Sequence, residues 1–267
     1  MIGSPAAPHD RRNAQLYIWD DRFLWVSWSF KGAMTRRYAT NVIAAIDASL
    51  PLSLQLPGKR AAACGAAVCA AGAERCVDAT DIPFLSLNLD PGTAEAKALE
   101  QLVSEKPVLP VERRLLASCD RAMADMLAGR LDGATARVLT HDIVQLLSGQ
   151  TPRTTAVDAR VRAVADKLRR TLPAEVHVEE LAREISLSPP RLIHLFSEQM
   201  GLAMSSFLLW QKMRRALSLV QQRESLTEVA HVCGFADSSH LTRTFQSFYA
   251  VKPSTLRDSR YVQVRLC

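Results

Sequence analysis

Five side chains at helical spacing stand out for what they can do chemically: Ser238, Ser239, Thr242, Arg243 and Gln246. Short hydroxyls, an amide and a guanidinium on one helix face are the groups that read base edges in a DNA major groove. Arg243 can pair bidentately with guanine, a contact that discriminates by about 1–3 kcal/mol. The same pattern also describes an ordinary solvated helix, so the surrounding elements have to decide. No G-x-S-x-G, Walker loop or paired His/Cys cluster points to an enzyme instead.

Those elements spell a helix, a tight turn and a second helix from Ser225 to Arg257. Ser225 is an N-cap residue with Glu228 at capping-box spacing. Leu226, Val229, Ala230 and Val232 give the first helix an apolar face, and Gly234 ends it with a left-handed turn. Asp237 or Ser238 caps the next helix, where Leu241, Phe245 and Phe248 form a buried stripe. A second such unit runs from Val178 to Met200, with Leu181 and Ile185 inward. Pro189-Pro190 opens its second helix, in the first turn where proline is tolerated. Leu192, Leu195 and Phe196 are its core, and Gly201 stops it. An amphipathic helix with Val157, Val161, Val164 and Leu168 precedes that unit. Ala203 to Gln222 joins the two, with Leu209, Trp210, Met213, Ala216, Leu217 and Val220 inward and Lys212, Arg214 and Arg215 outside. About 20 helical residues span roughly 30 Å, close to the ~34 Å between successive major-groove faces. Two reading heads on such a spacer need a long partner with a helical repeat. Phe196, Trp210, Phe235 and Phe245 are core rather than stacking platforms, because they lie on the apolar stripes.

Gly234-Phe235, Asp237-Ser238-Ser239-His240-Leu241-Thr242-Arg243-Thr244-Phe245, Lys252-Pro253-Ser254 and Leu256-Arg257 together resemble the signature of AraC/XylS-type transcription regulators. The resemblance covers Val157 to Arg257 well and the first 150 residues loosely. It implies base reading by exposed positions early in each recognition helix. Those are Ser238, Ser239, Thr242 and Arg243 in the second unit, and Pro190, Arg191, Ile193 and His194 in the first. Pro190 and Ile193 make no side-chain hydrogen bonds; they touch a thymine methyl or leave the reading to Arg191 and His194. Lys212, Arg214, Arg215 and Lys252, with helix N-termini, are the expected phosphate contacts. The partners implied are double-stranded promoter DNA, RNA polymerase for an activator, a small-molecule effector and a second copy of the chain.

Charge follows the same division. Residues 1–151 are balanced, and the entire net +6 of the chain lies in residues 152–267, as a polyanion-binding half joined to a neutral half would show. Gly149 to Thr155 reads as the linker. The fold expected is α+β in two domains: residues 1–150 a cupin-like β-barrel or sandwich with flanking helices, residues 151–267 an all-α domain with two helix-turn-helix units.

Upstream, residues 1–13 read as a leader. Leu16–Trp19, Phe23–Phe30, Val42–Ile46, the alternating Leu50–Leu56, Ala61–Ala70 and Phe84–Leu89 read as short strands. Asp90-Pro91-Gly92-Thr93 breaks them and starts helices over Ala94–Val103, Val111–Gly129 and Ala134–Leu147; these helices cover an open side of the barrel or, as the resemblance to AraC relatives implies, form a dimer face over residues 111–148. In AraC relatives a cupin-like barrel in this position senses a ligand. Leu16 to Leu89 contains no histidine, which argues against a metal-dependent cupin enzyme, and no cofactor is expected. Arg36, Arg37 and Arg60 are candidates to hold an anionic effector on apolar walls. Cys64, Cys69 and Cys76 are candidate thiol sensors, or simply small buried residues. The alternatives to a ligand-controlled regulator are a cupin-type enzyme fused to a DNA-binding tail and an effector-free regulator whose first domain only dimerises. The N-terminus lacks an apolar secretory core and no run reaches the ~18 apolar residues of a membrane span, so the expected location is the cytoplasm.

Overall fold

The computed structural model describes residues 13–151, 157–171, 176–222 and 225–267; nearly all of the expected leader and most of the linker lie outside them. Ten strands come first: β1 (Ala14–Ile18), β2 (Arg22–Ser27), β3 (Phe30–Lys31), β4 (Thr35–Arg36), β5 (Thr40–Ala45), β6 (Leu52–Gln55), β7 (Ala62–Cys64), β8 (Ala66–Cys69), β9 (Glu74–Ala79) and β10 (Phe84–Leu89). Then follow α1 (Ala94–Glu100), β11 (Val108–Val111), α2 (Asp120–Leu127) and α3 (Gly133–Ser148). The C-terminal half holds α4 (Ala159–Arg170), α5 (Val178–Glu184), α6 (Pro189–Met200), α7 (Met204–Leu219), α8 (Leu226–Val232), α9 (Ser238–Tyr249), α10 (Pro253–Arg257) and a last strand, β12 (Val262–Leu266).

The large sheet runs in the order β11-β8-β5-β10-β2-β1-β12, and a small sheet runs β3-β9-β6-β7 with β4 also on β9. Alternation along the strands sorts side chains to two faces. Tyr17, Leu24, Val42, Leu85 and Leu87 pack under α1, α2 and α3. The opposite face is divided. Ile43, Ala45, Ala67 and Phe84 meet the small sheet, while Leu16, Ile18 and Phe23 meet Trp210, Phe245 and Tyr249 of the helical half.

Three elements differ from expectation. The helix expected over Val111–Gly129 is broken: Val108–Val111 is a strand, Arg113–Cys119 a 3-10 segment, and only Asp120–Leu127 is α-helical. Pro110 sits there on an edge strand, where its missing N–H costs no ladder bond. β9 escapes the pattern because charged Glu74 and Asp78 occupy its outer face. β12 pairs parallel with β1, Ala14 opposite Val262 through Ile18 opposite Leu266. The helical half therefore sends its last strand back to cover the edge of the N-terminal sheet, which blunts an otherwise open edge.

Candidate nucleic-acid interface and the cavity behind it

The second unit is built as its residues dictate. Ser225 and Glu228 form the reciprocal capping box on α8. Gly234 takes φ +71° in the turn, a conformation open to glycine. The Asp237 carboxylate accepts the His240 amide at 2.7 Å and starts α9; that bond, the largest of the influences on it, holds the carboxyl below its usual range. Leu241, Phe245 and Phe248 are buried. Ser239 and Arg243 are left exposed and Ser238 and Thr242 half-buried. The Thr242 hydroxyl donates to Ser238 O at 2.8 Å, and its oxygen keeps its capacity to accept. Among the described residues, Arg243 makes no hydrogen bond or ion pair.

In the first unit Ser188 precedes α6, Pro189 and Pro190 occupy its first turn, and Gly201 ends it at φ +73°. Pro190, Arg191, Ile193 and His194 are all exposed. Pro190, Ile193 and His194 line a shallow groove with Ser197 and Glu198. Arg191, exposed and without a hydrogen-bond or ion-pair partner among the described residues, lies beside an apolar step and suits a guanine edge next to a thymine methyl.

The spacer is α7, 16 residues of regular helix, continued by a 3-10 turn over Val220–Gln222. Of the four expected phosphate contacts, Arg215 and Lys252 are exposed. Lys212 is half-buried; its ammonium donates to Gly234 O at 3.0 Å and caps the turn after α8. Arg214 is a correction. It is buried, donates to Trp19 O, and lies 3.4 Å from Asp90 Oδ1, so it faces the N-terminal sheet and not a phosphate. Its place follows from helical spacing: Trp210, Met213, Arg214 and Leu217 lie at i, i+3, i+4 and i+7.

Behind α9 a cavity opens where both sheets meet the helical half. Phe30 and Val77 of the small sheet, Phe23, Trp25 and Ile43 of the large sheet, and Leu217, Tyr249 and Leu256 of the helices are among its walls. Its polar end holds two guanidinium groups and no carboxylate. Arg75 donates to Ala73 O at 2.9 Å and to Asn41 Oδ1 at 2.6 Å, while its Nε is buried without a partner among the described residues. Arg37 donates through Nη1 to Ser86 Oγ and Asn88 Oδ1, both at 3.1 Å, and through Nε to Phe248 O at 2.8 Å. Burial, and after it the charge of Arg75, pushes the Arg37 guanidinium down to about 9. Two cations that share one apolar enclosure call for an anion.

Only Arg37 of the three expected anion-holding arginines lies on this cavity. Arg36, its neighbour on extended backbone, points the other way and pairs with Glu74 on the surface. Arg60 is exposed between β6 and β7. Arg75 is the residue that sequence reading misses. Once β9 is known to be a strand, period two puts Arg75 on the same face as Val77 and Ala79. The cysteines offer little for sensing: the Cys64 thiol donates to Ala66 O, the Cys76 thiol to Gly32 O, and burial raises these two and Cys69. That opposes the thiolate state a sensor uses. Among the described residues no three His, Cys, Asp or Glu are placed to hold a metal ion, and no single helix is long and apolar enough to cross a membrane.

Residues 181–259 match the sequence profile of a helix-turn-helix domain family. The chain is 26% identical over 135 residues to the HTH-type transcriptional regulator YijO of Escherichia coli, which is 49% of this chain and 48% of that protein. It is 29% identical over 130 residues to the HTH-type transcriptional activator RhaS of Klebsiella pneumoniae, 48% of this chain and 47% of that one. The chain thus spans about half the length of the curated relatives it matches. Among solved structures, an apo ToxT variant from Vibrio cholerae shares the fold over 88% of this chain and 96% of its own, at TM-score 0.59 and 10% identity. Wild-type ToxT bound to an unsaturated fatty acid gives TM-score 0.52 at 12% identity, over 87% and 92% of the two chains.

Proposed function

We propose that the helical half of this chain is an AraC-type helix-turn-helix domain and, on that premise, that the protein is a sequence-specific DNA-binding regulator of transcription. It reads two adjacent major-groove segments of promoter DNA with α6 and α9. Residues 1–150 are the sensing and dimerising domain and residues 151–267 the DNA-binding domain. The observation that carries this reading is the duplicated construction: two helices, α6 and α9, each presenting an exposed arginine without a partner among the described residues, joined by one continuous helix. Arg191, Ile193 and His194 read one segment; Ser238, Ser239, Thr242 and Arg243 read the next. Arg215 and Lys252 meet phosphates. RNA polymerase is a further partner at promoters that the protein activates.

The effector site is the cavity behind α9. Arg37 and Arg75 hold the anionic head of a carboxylate whose apolar body lies against Phe23, Trp25, Phe30 and Tyr249. The fatty-acid-bound form of ToxT, a protein of the same fold, supports this ligand class. Leu115, Val138 and Leu146 stand exposed on the outer side of residues 111–148 and support that face as the dimer contact.

Selection of the full chain on random duplex DNA at controlled salt tests the central reading. Enrichment of a site with two short elements about one helical turn apart is the expected result. Binding that enriches no motif and follows salt alone would remove it.

A further inference from the structure

One guanidinium serves both the cavity and the second reading helix. Arg37 Nε donates to Phe248 O, 2.8 Å away, one of the last carbonyls of α9 and so one without a helical partner. Its Nη1 is committed to Ser86 and Asn88 on the large sheet, and its Nη2 has no partner among the described residues. The residues that follow Phe248 are cavity wall: Tyr249, Ala250 and Val251. Ala250 closes α9 at φ +59°, a left-handed conformation that a Cβ disfavours, so this helix end is held in place by its surroundings.

The space inside is small. The cavity volume is about 40 Å³, room for a few waters. An anion with an apolar tail must therefore shift a wall. The large-sheet side is fixed, since β2, β5 and β10 are each hydrogen-bonded along both edges. The end of α9 is held by Arg37 and by ring contacts, Phe23 to Tyr249 at 5.7 Å and Tyr38 to Phe248 at 5.7 Å. The first unit stands apart. Its core of Val161, Leu181, Leu192, Phe196 and Phe207 is its own, and none of its residues lines the cavity.

Resting on the reading of this cavity as the effector site, we propose that its occupancy is reported to DNA through the second helix-turn-helix unit alone. Arg37 is the positioning residue: an anion at the cavity draws on the same guanidinium that caps α9, and the tail displaces Tyr249 and Ala250. The ligand thus changes how α9 is held while α6 keeps its arrangement.

Hydrogen exchange of the full chain with and without oleate, and with decanoate and myristate as shorter probes, tests this. Amides of residues 238–257 should change exchange several-fold on saturation, and those of 178–200 should not change. Arg37→Lys keeps the charge but not the fork; compared at oleate concentrations that saturate each protein, it should lose most of the change at α9. Arg75→Met should weaken binding while the remaining bound fraction still moves α9. Oleyl alcohol, which carries the tail without the anion, should change exchange at α9 less than oleate does when each is at saturation. Equal changes in both units, or saturable binding with no change at 238–257, would overturn the proposal and leave the DNA-binding reading intact. No saturable binding of any of the three carboxylates would overturn the ligand class and the proposal together, again without touching the DNA selection.

Discussion

The two helix-turn-helix units are alike in design and unlike in what they lean on. The first closes its own core, with Phe196 and Phe207 edge to face at 5.3 Å and Val161, Leu168 and Leu181 around them. It meets the N-terminal half at small points, such as Arg169 Nη2 to Pro91 O at 3.4 Å. The second has no core of its own. Phe245, Tyr249, Leu217 and Trp210 share one cluster with Leu16, Ile18 and Phe23 of the large sheet, and β12 adds a strand to that sheet. Two copies of one motif are therefore embedded differently: the first packs on itself, and the second shares its packing with the N-terminal half.

Removing a large buried ring should separate the two most strongly. Trp210→Ala opens a void in the shared cluster, where the indole stacks on Phe23 and donates to Asp90 at 2.9 Å. A loss of about 3–5 kcal/mol is expected, with thermal unfolding and exchange showing the second unit and the N-terminal sheet weakened together. Phe196→Ala should cost a similar amount but loosen residues 159–207 only.

Asp90→Asn sharpens the comparison. It keeps the volume but removes the charge that faces Arg214 in a buried interface. The expected cost is about 1–3 kcal/mol in urea unfolding, falling on the second unit. On the reading face, Arg243→Ala should lose about 1–3 kcal/mol of discrimination at one base of the second element and leave unfolding unchanged, measured by competition between matched and mismatched duplexes. Ser225→Ala removes the cap of α8 and should cost about 1 kcal/mol in thermal unfolding, local to the second unit.

The smallest expected effect concerns acid. Burial raises the Asp21 and Glu95 carboxyls, but the hydrogen bonds and charge of Arg22, joined at Asp21 by Arg137, outweigh it and leave both below their usual range. Groups with depressed folded-state values stabilise the fold above their unfolded values near pH 4 and lose that contribution as pH falls through them. These residues tie β2 to α1 and α3. Acid titration by circular dichroism should therefore loosen the N-terminal helices below about pH 4 before the core of the first unit gives way.

The helical half was legible in the sequence because its signals are local. Caps, turn glycines and apolar stripes fall within a few residues of one another, and Ser225, Gly234, Asp237 and Gly201 mark their boundaries. The strands with clean alternation, such as Leu52–Gln55, were legible for the same reason. What stayed hidden depends on distant partners. Arg75 and Glu74 look alike as surface charges until β9 is seen to face the cavity. Arg214 reads as one of three exposed cations until Asp90 and Trp19, remote in sequence, supply its partners. β12 is a short polar-apolar tail whose strand form exists only because β1 offers an edge.

The most direct measurement compares the DNA sites selected by the full chain and by two variants, Arg191→Ala and Arg243→Ala. The wild-type chain should select two elements about one helical turn apart. Each variant should lose sequence preference in one element and keep it in the other. Selection of a single element, or loss of both elements with either substitution, would contradict two heads reading side by side.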